Sequence, residues 1–236
     1  MRQIVGISVI ICKKTNFRRN EWKLAISFFL ISFSVFAQDP LVFRLPQMLT
    51  EGSLEIGKHE VTNGEKGGRE FLIVGKNQAE KPIWLPINDF QEGKIELVAK
   101  GKDILQGSFY GLVFHAENDS IFDVVYCRPF NFRAEDPVRK IHAIQYSSNP
   151  DFDWPFLRTN HNGIYEKGID NAPAAEDWVT LTLEIQGDSV RAFINHSQAP
   201  ALSVKKLNNR TQGKIGIRVA NAELELIRIW KTDDDF

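Results

Sequence analysis

From Gln38 onward, short apolar stretches are separated by Gly, Asn and Asp, with almost no run at helical spacing. That pattern predicts a chain made nearly all of strands. Gly93-Lys94-Ile95-Glu96-Leu97-Val98-Ala99 alternates. So does Trp178-Val179-Thr180-Leu181-Thr182-Leu183-Glu184-Ile185, which puts Val179, Leu181, Leu183 and Ile185 on one face. Val190 to Ile194 follows across Gly187-Asp188, a pair with hairpin-turn chemistry. Lys214 to Val219 and Leu224 to Trp230 close the body. Strands at this spacing imply a sandwich or a barrel.

The most informative pair is Phe109 to Ala116 and Ile121 to Phe130, joined by Glu117-Asn118-Asp119-Ser120. With those four residues as the loop, Ala116 faces Ile121 and the whole register follows. One face then carries Tyr110, Leu112, Phe114 and Ala116 with Ile121, Asp123, Val125 and Cys127. The other carries Phe109, Gly111, Val113 and His115 with Phe122, Val124, Tyr126, Arg128 and Phe130. Both are too apolar for open water, so the hairpin belongs in the middle of a sheet covered on each side. The first face suits the core. The second mixes aromatic planes with His115, Tyr126 and Arg128, and Gly111 opposite Tyr126 leaves room beside its ring. Such a surface fits a sugar, whose C–H faces pack on rings while its hydroxyls take hydrogen bonds. It equally fits a face roofed by a long loop, with Arg128 paired to a carboxylate.

Between Phe132 and Trp178 the pattern offers one strand, Lys140 to Tyr146, and then about thirty weakly periodic residues, 147–177. Phe152, Trp154, Phe156, Leu157 and Tyr165 are too many large apolar groups to leave in water, so this insertion packs on a sheet and frames a cleft. Trp154 is either a stacking platform or the anchor of the loop. Asp151 and Asp153, with Asn149, fall short of a Ca²⁺ ligand set, and no metal and no other cofactor is expected.

The N-terminus reads differently. Arg18 to Lys23 is positive, the apolar run Leu24 to Phe36 follows, and Ala37-Gln38 fits a signal-peptidase cut. A membrane anchor needs roughly 18 apolar residues, and Leu24 to Ala37 offers only 14. The expectation is a signal peptide over 1–37 and one exported domain over 38–236, secreted or periplasmic and free of the membrane after cleavage. Over the whole chain 29 basic residues face 30 acidic ones, which excludes a general nucleic-acid binder. Cleavage removes six basic residues and one acidic, leaving 23 against 29 and a mildly acidic protein. Cys12 leaves too, so Cys127 stands alone as a small buried hydrophobe and stability must come from a core. A chain this long buries about 70% of its unfolded surface, which suffices.

No His/Cys cluster has zinc spacing, no Gly-rich phosphate loop follows a strand, and no Gly-x-Ser-x-Gly elbow occurs. Glycoside hydrolysis needs only two suitably spaced carboxyl groups. Glu117, Asp123, Asp153 and Glu166 are the candidates, with Glu117 and Asp153 as one pairing. His115 and His142 are possible proton carriers or structural histidines.

The segments Gly93 to Ala99, Phe109 to Phe114, Trp178 to Asn195 and Gly213 to Ile217 resemble the concanavalin A-like jelly roll of legume-type lectins, laminin-G-like modules and laminarinase-type glucanases. They look closer still to secreted bacterial domains grouped with 3-keto-disaccharide hydrolases. The resemblance covers most of residues 50 to 231. It implies an all-β fold, a two-sheet antiparallel jelly-roll sandwich whose concave face handles carbohydrate. The Glu-x-Asp-x-x-Glu or Glu-x-Asp-x-Glu strand of laminarinase-type enzymes has no match here. The leading expectation is therefore glycan binding around Tyr126 and Arg128, with Gln145, Trp154, Arg158 and His115 nearby. The alternatives are a glycoside hydrolase using a carboxylate pair, and an extracellular adhesion module showing a flat apolar patch.

Overall fold

The computed structural model describes residues 39–76 and 81–231. The expected signal peptide lies outside them. In chain order the elements are β1 (Leu41–Arg44), α1 (Leu45–Glu51), β2 (Val61–Lys66), β3 (Arg69–Val74), β4 (Ile83–Trp84), β5 (Gly93–Lys100), β6 (Phe109–Ala116) and β7 (Phe122–Cys127). After a 3-10 turn come α2 (Pro137–Lys140), β8 (Ile144–Asn149), α3 (Trp154–Asn160), β9 (Glu166–Lys167), β10 (Trp178–Gln186), β11 (Ser189–Ile194), β12 (Leu202–Lys205), β13 (Lys214–Ala220) and β14 (Ala222–Lys231). The larger sheet runs β12-β11-β10-β5-β14-β3-β2, with β1 added on β14; the smaller runs β4-β13-β6-β7-β8-β9. Their pairings are antiparallel, so the expected two-sheet sandwich is the architecture observed.

Period-two alternation builds the core. Val179, Leu181, Leu183 and Ile185 of β10 face inward with Ile95, Leu97 and Ala99 of β5, and meet Tyr110, Leu112, Phe114, Val125, Cys127 and Tyr146 of the smaller sheet. Cys127 is buried and unpaired, and burial pushes its thiol far above the usual range. A second apolar cluster, Trp84, Val113, Ala116, Phe122, Val124 and Tyr126, lies on the outer face of the smaller sheet.

The β6–β7 register is the one the four-residue loop predicts, from Tyr110 opposite Cys127 to Phe114 opposite Asp123. Three expectations change. The strand expected over Lys140 to Tyr146 begins later, because Asp136 caps α2 by accepting the Val138 amide at 2.9 Å and Pro137 opens the helix. The aperiodic 147–177 segment holds two elements. Asp153 caps α3 through the Phe156 amide at 2.9 Å, and β9 pairs with β8 at the sheet edge. Third, β6 bulges against β13: Lys214 faces Ala116 but Gly216 faces Val113, and His115 takes a positive φ of 47°. The bulge reverses the alternation. Ala116 joins the outer cluster, and His115 leaves the Tyr126 face for the interior, 6.1 Å from the Phe90 ring, with its Nε2 2.6 Å from the Gln91 carbonyl oxygen.

Candidate functional site

Five residues stand in register across the outer face of the smaller sheet: Arg218 on β13, Gly111 on β6, Tyr126 on β7, Gln145 on β8 and Glu166 on β9. Each is the direct cross-strand neighbour of the next, so their side chains share one face. Gly111 is required here, since a Cβ would overlap the Val125 carbonyl oxygen and the Tyr126 Cβ. The Arg218 guanidinium lies 5.4 Å from the Tyr126 ring centroid and 5.8 Å from that of Phe109.

Arg128 shares the parity of Tyr126 and sits just past the end of β7. Its Nη2 donates to the Tyr126 hydroxyl at 2.7 Å and to Gln145 Oε1, and its Nη1 donates to the His142 carbonyl at 3.2 Å. The Tyr126 hydroxyl donates to the same Gln145 oxygen at 3.1 Å. Gln145 Nε2 is buried without a partner, an orphaned donor of the kind that costs stability unless something accepts from it. Glu166 ends the row. Its side chain is only 3% exposed, and Arg158 grips it with Nε on Oε1 at 3.2 Å and Nη2 on Oε2 at 2.9 Å. Arg128 Nη1 is 3.9 Å away. His142 Nδ1 comes within 2.7 Å of Oε2, a close approach rather than an aligned hydrogen bond. A buried carboxylate is tolerated only with such compensation. The Arg158 guanidinium lies 5.0 Å from the Trp154 ring, which is 44% exposed.

Burial holds the His142 imidazole below its ordinary value against the pull of Glu166, and the charges of Arg158 and Arg128 act with burial. Near neutral pH it is a neutral ring. Burial likewise lowers Arg128, aided by Arg158 and Arg218, yet a guanidinium keeps its proton.

Of the expected site residues, the fold brings together Tyr126, Arg128, Gln145 and Arg158, with Trp154 at the rim. His115 is excluded by the bulge. Trp154 is not the anchor of its loop: Leu157, 1% exposed, fills that role. Among the carboxylate candidates, Glu117 is exposed in the β6–β7 loop and Asp153 serves the α3 cap. Asp123 is sealed on the inner face by Tyr146 Oη at 2.5 Å, Asn208 Nδ2 at 2.6 Å and Arg210 Nη2 at 2.9 Å. Glu166 alone of the four stands on the row. Arg218 went unnoticed in the sequence because its place depends on β13 meeting β6 across a hundred residues of chain.

The outer face of the larger sheet holds two adjoining grooves of about 560 and 420 Å³ that share Lys94, Glu184 and Arg191. Both of their carboxylates are paired: Glu184 with Arg191 at 2.5 Å, and Glu96 with Lys94, Arg228 and His196 at 3.5 to 3.7 Å. The smaller sheet, with a bidentate arginine–carboxylate pair, a neighbouring imidazole and an exposed tryptophan at its rim, carries the richer chemistry.

No protein-family model matches the sequence, and no curated protein matches it. Solved structures do. The exoplasmic/lumenal domain of VIP36 in its Ca2+/Man3GlcNAc-bound form is similar over 84% of this chain and 92% of that one, with a TM-score of 0.53 and 9% identity. A protein of unknown function with a galectin-like fold from Bacillus subtilis is similar over 83% and 97%, with a TM-score of 0.53 and 15% identity. A native glycosidic hydrolase is similar over 81% and 95%, with a TM-score of 0.50 and 14% identity. At these identities the likeness is one of fold, and together with the two antiparallel sheets it gives this chain the concanavalin A-like jelly roll.

Proposed function

We propose that this is an exported carbohydrate-binding protein whose ligand lies on the outer face of the smaller sheet, over the row from Arg218 to Glu166. The observation that carries the reading is the exposed rim of Arg158 and Trp154 set beside the network of Tyr126, Arg128, Gln145 and Glu166. Arg158 at the rim offers donors to sugar hydroxyls, and Trp154 beside it offers a plane for the C–H face of a ring. The fold is compatible, since VIP36 with its bound mannose oligosaccharide shares it, although a shared fold does not transfer a site. The Leu24 to Ala37 run and its cleavage pattern support export.

The test is calorimetry and mass spectrometry of the purified protein with a panel of oligosaccharides, keto-oxidised disaccharides included. Binding that Arg128→Ala abolishes and Trp154→Ala weakens, in variants that keep a strand-type circular dichroism spectrum, supports the reading. Affinity unchanged in both variants removes the site from this face. A second reading, a glycoside-processing enzyme, is favoured by the approach of His142 Nδ1 to Glu166, which joins a neutral imidazole to a buried carboxylate. Shortened products in the mass spectra, lost in Glu166→Gln, support it; an intact panel sinks it.

A further inference from the structure

The row carries more positive charge than it neutralises. Arg128, Arg158 and Arg218 converge on a row whose single carboxylate among the described residues, Glu166, is already gripped at both oxygens by Arg158. Arg128 donates to neutral groups, the Tyr126 hydroxyl, the Gln145 amide oxygen and the His142 carbonyl, and its Nη1 stands 3.9 Å from Glu166. Arg218 makes no ion pair and no hydrogen bond among the described residues; the Phe109 and Tyr126 rings are its nearest recorded support. Two guanidinium groups therefore lie within 5.4 Å of one phenol ring, that of Arg128 at 4.8 Å and that of Arg218 at 5.4 Å. Ring contact of this kind is a weak substitute for a counter-charge. Arg218 is one of the charges that act on Arg128, and an anion between the two guanidiniums relieves that repulsion. Burial is the first cause of the lowered proton affinity of Arg128; the charges of Arg158 and Arg218 add to it, and Tyr126 and Glu166 oppose it.

We infer that the saccharide bound here is anionic, carrying a uronate carboxylate or a sulfate ester that Arg218 and Arg128 hold beside the Tyr126 ring. The inference rests on the carbohydrate-binding reading of this face. A planar guanidinium presents paired N–H donors that match two oxygens of such a group, which a neutral hydroxyl does not offer.

Calorimetry of the purified protein with trigalacturonate, a sulfated galactotriose and neutral galactotriose tests this. The expected result is at least tenfold tighter binding of one acidic trisaccharide than of the neutral one, weakened by salt. Arg218→Gln removes that preference, so that the acidic and neutral trisaccharides bind alike. Whether the uronate or the sulfate binds more tightly then identifies the group. Equal affinity for acidic and neutral sugars, or an acidic preference that survives Arg218→Gln, overturns the inference and leaves the carbohydrate reading standing. Binding of none of the three sinks both.

Discussion

Arg158 and Glu166 form a two-donor pair, Nε to Oε1 at 3.2 Å and Nη2 to Oε2 at 2.9 Å, that ties α3 to the edge strand β9. Glu166 is nearly enclosed while Arg158 is one-third exposed, so loss of the arginine leaves a buried carboxylate short of partners. Hydrogen bonds to charged groups contribute about 1.5–3 kcal/mol each, and solvent at the arginine reduces this. Arg158→Ala is therefore expected to destabilise by about 1–3 kcal/mol in urea denaturation. It also removes one of the charges that depress His142, so the imidazole should titrate higher in an NMR pH series than in the parent protein. An unchanged His142 titration would show that Arg158 does not act on it.

Gly111→Ala tests the crossing of β6 and β7 beneath the row. The added methyl meets the Val125 carbonyl oxygen and the Tyr126 Cβ, neither of which is the free end of a flexible side chain. Overpacking typically costs about 1–3 kcal/mol. A lower melting temperature is expected, together with loss of glycan binding as the Tyr126 ring shifts. A variant that melts like the parent would mean that the strands part at no cost.

Much of this geometry was legible from residue order alone. The loop Glu117 to Ser120 fixed the β6–β7 register, hence Gly111 opposite Tyr126 and the shared parity of Tyr126 and Arg128. What lay beyond reach was non-local or irregular. No residue type announces the positive φ of His115, so simple alternation placed that ring on the wrong face. Glu166 sits in a strand of two residues, held by pairing with β8 and by the Tyr146 amide donating to the Tyr165 carbonyl at 2.8 Å, not by any pattern of its own. The start of α3 was readable: Asp153 followed by Pro155 is an N-terminal helix signal that aperiodic apolar spacing obscured.

Trp154 and Leu157 lie on the same short helix with opposite roles, and two substitutions separate them. Leu157 is fully enclosed, and truncation of such a leucine costs about 2–5 kcal/mol. Leu157→Ala should lower the melting temperature and weaken binding together. Trp154 is exposed, so Trp154→Ala should leave the melting temperature within a degree or so while affinity for the sugar falls several-fold. A large drop in stability for Trp154→Ala would return that ring to the role of anchor.

His115, displaced to the interior by the bulge, gives the fold a pH dependence with a definite sign. Burial holds its imidazole below 6.5; Asp123 and the Gln91 carbonyl oppose that shift, and Lys206 and Arg210 assist it. Lys206 Nζ is 3.4 Å from Nδ1. The unfolded chain thus takes up a proton at a higher pH than the native ring does. Stability from this group is complete above pH 6.5 and is lost as the pH falls from there toward the lower native value. His115→Gln keeps a donor for the Gln91 carbonyl and cannot titrate. Unfolding free energies across that interval should therefore decline less steeply with acid in His115→Gln than in the parent. Parallel slopes in the two proteins would show that the acid dependence comes from the carboxylates and not from this ring.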